Sequence, residues 1–121
     1  MQMKRLAVVV AAMVLVAATL AIAEEKLGVQ VYPGAKLDTA TTDAVKKMMN
    51  TDAGCYRTSD AVDKVVAFYK KQGNLTEMGT TKEGGAFRKK GEDVMVTVQN
   101  PWMDMATGKM NKDTLISIVK Q

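Results

Sequence analysis

Residues 6–20, from Leu6 to Leu20, form an apolar run interrupted only by Thr19, and this run decides how much chain is left for a folded domain. It follows a short basic start, Met1-Gln2-Met3-Lys4-Arg5, and gives way to Ala21-Ile22-Ala23 before Glu24-Glu25. Basic start, apolar segment and small-x-small end are the three parts of a cleavable export signal. Lys4 and Arg5 stay on the cytoplasmic side, the apolar segment enters the translocon as a helix, and the small side chains Ala21 and Ala23 fit the peptidase. The expectation is a signal peptide over 1–23 and one domain over 24–121, with no stable membrane span after cleavage and a periplasmic or secreted destination. The alternative is an uncleaved N-terminal membrane anchor, since Leu6–Ala23 sits at the lower limit for a span. Its alanine content argues against that reading.

A domain of this length buries one modest core. The 121-residue chain contains no histidine and a single cysteine, Cys55. That excludes a Ser-His-Asp or Cys-His catalytic site, an imidazole-ligated haem and a mixed His/Cys zinc site. It also excludes an internal disulfide and any CxxC pair. Past residue 23 there are 15 basic and 13 acidic side chains, with the surplus of positive charge in the second half. Arg88-Lys89-Lys90 is the densest basic cluster and reads as the solvated flank of a turn. An anion or headgroup contact is the functional alternative. No aromatic residues interleave with these cations, so no nucleic-acid partner is expected.

Local patterns predict an α+β fold: one or two helices packed on one face of a four- to five-stranded antiparallel sheet. Gly28–Tyr32 alternates and runs into Pro33-Gly34, a type II turn signature. A helix is expected over 40–50, capped by Thr41 or Thr42 and burying Ala44, Val45, Met48 and Met49. Gly54 breaks the chain before a strand over Cys55–Thr58. Ser59-Asp60 then caps a helix over Ala61–Lys71, whose stripe of Val62, Val65, Val66 and Tyr69 is widened by Phe68. Strands follow over Leu75–Gly79, Gly84–Lys89, Asp93–Gln99 and Thr114–Val119, with Val94, Val96 and Val98 on one face.

The segments Val31-Tyr32-Pro33-Gly34-Ala35, Tyr56-Arg57-Thr58-Ser59-Asp60, Val65-Val66-Ala67-Phe68-Tyr69-Lys70-Lys71 and Thr114-x-Ile116-x-Ile118 occur in that order. The chain thereby resembles a group of small exported bacterial proteins and lipoproteins carrying a "VYPGA … FYKK" domain. The resemblance implies export and an α+β fold, and it transfers no catalytic residue or cofactor. The lipid-attachment cysteine of the lipoprotein members is missing here.

The segment from Gln99 to Asp113 is long for a link between strands and gathers Trp102, Met103, Met105 and Met110. Three readings compete for it. The methionines are adaptable packing, or Trp102, Met103 and Met105 form a contact patch for a protein partner in the envelope. In the third, Met103, Met105 and Met110 bind a soft metal, Cu(I) or Ag(I), with Met103 and Met105 on one side of an extended chain and the Trp102 ring covering the ion. That arrangement is loosely similar to periplasmic copper chaperones, which also use a histidine. Cys55 reads as a small buried hydrophobe. Its alternative is a thiol activated by Arg57 or paired with another chain. Tyr32 and Tyr69 read as core rather than pocket lining. Neither carboxylate pair, Glu92-Asp93 or Asp60 with Asp63, has the apolar setting that acid catalysis needs, so a histidine-free hydrolase is the least favoured class. The expected function is a non-enzymatic binding or accessory module of the bacterial envelope, without a cofactor.

Overall fold

The computed structural model describes residues 24–121; the expected signal peptide over 1–23 lies outside the described residues. In chain order the elements are β1 (Glu25–Lys26), β2 (Val29–Gln30), β3 (Lys36–Leu37), α1 (Thr39–Met49), β4 (Ala53–Thr58), α2 (Val62–Lys70), β5 (Leu75–Thr81), β6 (Gly84–Lys89), β7 (Val94–Gln99), β8 (Trp102–Met103), β9 (Met110–Asn111) and β10 (Thr114–Lys120). The main sheet has six strands in the order β3-β4-β10-β7-β6-β5. Every neighbouring pair in it is antiparallel. The fold is mixed α+β and sheet-dominated, with more strands than the sequence pattern suggested. The extra one is β3, only two residues long, which pairs with the end of β4.

One face of the sheet carries the main core. Tyr56, Phe87, Val94, Val96, Val98, Ile116 and Ile118 project from the strands to meet Val65, Val66 and Tyr69 of α2. The valine alternation and the helical stripe thus meet each other as their periods require. Tyr69 is fully buried, and its hydroxyl donates to the Gln30 carbonyl (2.9 Å) and accepts from the Tyr32 N–H (3.1 Å), which ties the N-terminal hairpin β1–β2 over the core. That hairpin turns through Leu27 and Gly28, both at positive φ. The Pro33-Gly34 turn forms as its signature predicts, with Gly34 at φ +84° and the Ala35 N–H donating to the Tyr32 carbonyl (3.0 Å).

The two helices do not share a face. Strand residues alternate, so Cys55 and Leu115 point away from the main core. They form a second, smaller cluster with Trp102, against which Val45 of α1 packs. α1 lies along the open edge of β4, where β3 has ended. There the Thr42 hydroxyl accepts from the Cys55 N–H (2.9 Å) and donates to the Cys55 carbonyl (3.3 Å). A side chain thereby completes backbone bonding that a neighbouring strand would otherwise supply. Because α1 covers an edge rather than a broad face, Met48 and Met49, expected to be buried, are exposed, while Thr42 is the buried residue. Its cap is Asp38, whose carboxylate accepts from the Thr41 N–H (3.1 Å), not Thr41 or Thr42. α2 begins after Ala61, which has no side-chain acceptor to cap it; Asp60, expected to cap with Ser59, lies one residue outside and accepts from the Tyr32 hydroxyl.

Gly54, expected to break the chain, lies inside β4. A Cβ there would fall 3.0 Å from atoms of Lys26 and Tyr56, so the bare backbone makes room for both. β5 runs on to Thr81, past a bulge between Glu77 and Gly79. Among the described residues no helix is long and apolar enough to cross a membrane.

Candidate functional site

The segment between β7 and β10 folds as a hairpin of its own. β8 and β9 pair antiparallel, with Trp102 opposite Asn111 and Met103 opposite Met110. Asp104 closes the head of this hairpin. Its carboxylate accepts from the Ala106 N–H (2.9 Å) and the Thr107 N–H (3.4 Å), its carbonyl from Gly108 (2.7 Å), and its own N–H donates to the Lys109 carbonyl (2.8 Å). Such a self-bonded turn is typical of Asp.

Alternation along β8 then separates two functions. Trp102 points inward at 3 % exposure, whereas Met103 points outward at 58 %. Met110, its partner across the hairpin, is 54 % exposed, and Met105 in the head is 58 % exposed. Packing under the sheet edge therefore does not describe these three methionines; they stand in solvent on a tryptophan-anchored base. The extended Met103-x-Met105 arrangement is replaced by a cross-strand pair, because the chain turns at Asp104.

The base is polar as well as apolar. The Trp102 indole N–H donates to Asp113 Oδ1 (2.9 Å), and Arg57 Nε donates to Asp113 Oδ2 (2.7 Å). Arg57 also reaches Asp38 Oδ2 (3.4 Å), and its guanidinium carbon lies 5.0 Å from the centroid of the Trp102 ring. Residues far apart in the chain thus converge: Asp38 beside α1, Arg57 from β4, Trp102 from β8, and Asp113 just before β10. Burial alone would raise the Asp113 carboxyl, but hydrogen bonds from Arg57 and Trp102, with the guanidinium charge, hold it below its ordinary value. In return the Asp113 carboxylate, by its hydrogen bond and charge, and Asp38 after it raise the Arg57 pKa against the opposing effect of burial. The ring face expected to cover a metal is occupied by Arg57 instead. An open cleft of about 440 Å³ borders this network, lined by Lys36, Leu37, Asp38, Thr39, Arg57 and Asp113 among others.

The remaining candidates resolve into structural roles. Cys55 is fully buried, its sulfur 3.6 Å from the Ser117 hydroxyl. Burial pushes its thiol up against the opposing effect of bonds to Ser117 and Thr42, so Arg57, engaged by two carboxylates, does not activate it. Tyr32 donates to Asp60 (2.5 Å). In the basic cluster, Arg88 pairs with Asp93 and Lys89 with Glu92, which engages both members of that carboxylate pair. Asp63 accepts from the Lys64 N–H (2.9 Å). Among the described residues no group of three or more His, Cys, Asp or Glu is placed to hold a metal ion. Sequence reasoning missed Asp38 and Asp113. Asp38 has a local signal, as an acceptor three residues before Thr41; Asp113 has none, since its partners are remote.

Compared with protein-family models, with curated proteins and with solved structures, the chain matches none.

Proposed function

We propose that this chain is an exported, non-enzymatic binding module that works by contact, with the β8–β9 hairpin as the surface that meets a protein partner in the envelope. The observation that carries this reading is the pairing of a fixed base with an apolar, solvent-facing tip: Trp102 is buried and bonded to Asp113, while Met103, Met105 and Met110 are each more than half exposed. Unbranched thioether side chains adapt to varied partner surfaces, and methionine is enriched where proteins meet. A preorganised base limits what ordering the hairpin costs on association. Export rests on the basic-apolar-small pattern of residues 1–23. The engagement of Asp60, Glu92, Asp93 and Asp113 by hydroxyl or cationic partners argues against a carboxylate-based hydrolase.

The test places a photoreactive phenylalanine analogue at position 103 or 110, with the same analogue at exposed Met78 as control, in cells that export the chain. The expected result is one discrete crosslinked partner from the hairpin positions and none from position 78. No crosslink from the hairpin, or the same products from all three positions, refutes the reading.

A further inference from the structure

Seven large apolar side chains stand out in solvent among the described residues: Leu37, Met48, Met49, Met78, Met103, Met105 and Met110. Six of the seven are methionine, the one long apolar side chain that carries a soft donor atom. Three of them are gathered on a single hairpin, and two of those three are paired in register. We propose that the head of the β8–β9 hairpin is a binding site for a soft monovalent cation, Cu(I) or Ag(I), ligated by the thioether sulfurs of Met103, Met105 and Met110.

Directly opposed residues of an antiparallel pair hold their Cβ atoms about 4.5–5.5 Å apart on one face. Met103 and Met110 meet this condition on the solvent face, because Trp102 and Asn111 occupy the other. Each side chain has three rotatable bonds, enough to bring both sulfurs onto one ion without moving the backbone. Met105 follows two residues after Met103, inside the turn that Asp104 closes with its carboxylate and both its backbone groups. Neutral sulfur donors select Cu(I) and Ag(I) over hard divalent ions. Lys109 and Lys112, the charges nearest in sequence to Met110, repel a divalent cation about twice as strongly as a monovalent one. The Asp104 carboxylate, a hard donor whose Oδ1 already accepts from two backbone N–H groups, is a poor ligand for a soft ion. Cys55, a stronger soft ligand, is fully buried and so does not compete while the chain is folded. The base that fixes the framework is the Trp102–Asp113–Arg57 network, which holds the pair in place before the ion arrives. The inference goes beyond the partner reading and does not depend on it: metal binding is measured on the isolated chain, the crosslink in the envelope, so either can fail alone.

The experiment titrates Ag(I) nitrate, in chloride-free buffer, into protein labelled with 13C at the methionine methyls, and measures Cu(I) affinity by competition with a chromogenic chelator. Shifts confined to the methyls of Met103, Met105 and Met110, ending at one ion per chain, are expected. Met48, Met49, Met78 and Met95 should not move. Leucine has nearly the volume of methionine, so Met103→Leu, Met105→Leu and Met110→Leu keep the fold, checked by Trp102 fluorescence. Each should weaken Cu(I) by at least the about 10- to 100-fold that loss of a mere outer-shell partner costs. Met78→Leu and Cys55→Ala should leave the affinity unchanged. The proposal is overturned by an absence of shifts, by shifts spread evenly over all exposed methionines, or by affinity that survives the triple leucine variant and disappears in Cys55→Ala.

Discussion

Asp113 is the residue on which the hairpin's attachment turns, and two substitutions separate its two bonds. Asp113→Asn keeps an oxygen that accepts from the Trp102 indole but removes the charge that pairs with Arg57. The Arg57 side chain is 39 % exposed and retains Asp38, so solvent screening limits this loss to about 0.5–1 kcal/mol. Asp113→Ala also strips the acceptor from an indole N–H in a residue only 3 % exposed, and an orphaned buried donor costs about 1–3 kcal/mol more. The alanine variant should therefore lie about 1.5–4 kcal/mol below the parent, and at least about 1 kcal/mol below the asparagine variant. Urea unfolding followed by fluorescence reports on the hairpin base directly, since Trp102 is the sole tryptophan; circular dichroism follows the sheet in parallel. The carboxyl is held below its ordinary 3.8 in the folded chain, so its contribution is present above that pH and is lost as the pH falls through the folded value. Both variants should accordingly show a shallower loss of stability in acid than the parent. Equal destabilisation by asparagine and alanine would mean that the indole bond carries nothing and that Trp102 does not anchor the hairpin through Asp113.

Other expectations follow from the same geometry. Tyr32 is raised from 10.0 to about 12, first by its hydrogen bond to Asp60 and then by burial and the Asp60 charge; its contribution is full below pH 10 and is lost between about 10 and 12, so Tyr32→Phe should narrow its gap to the parent across that window in alkaline denaturation. Cys55 should react with a thiol reagent in the native state only as fast as the chain opens, and at once in denaturant; rapid native labelling would contradict its burial. Gly84→Ala would put a Cβ 1.8 Å from the Val98 carbonyl oxygen of the adjacent strand, a backbone clash expected to cost about 3 kcal/mol or more, read as a lowered urea midpoint.

Where one face of an element meets the core and the other meets water, the sequence was readable. Val94, Val96 and Val98, and Val65, Val66 and Tyr69 of the helical stripe, state their period and are buried accordingly, with Val62 and Phe68 partly buried beside them. The strand pattern of β10 is legible but its central place is not: Thr114 to Val119 are buried on both faces because a packed cluster lies on each side of the sheet, Leu115 entering one and Ile116 the other. The α1 pattern misled at Met48 and Met49 because an edge-lying helix offers its strand only a narrow strip, here Thr42 and Val45. At the hairpin, the unusual cluster of Trp102 and methionines was legible, but its division into an inward tryptophan and outward thioethers depends on pairing with Met110 and Asn111. The network beneath it joins positions 38, 57, 102 and 113, which no local window contains.

The position of β10 has a consequence for the order in which the molecule can be assembled. Its neighbours β4 and β7 never pair with each other, so the α1–β4 part and the α2–β5–β6–β7 part remain two unjoined sheets until residues 114–120 slide between them. In a chain made from its N-terminus these residues emerge after both halves, and their pairing with β4 spans some 60 positions, a slow long-range closure. A chain that cannot finish its sheet early stays open, and so threadable, for longer.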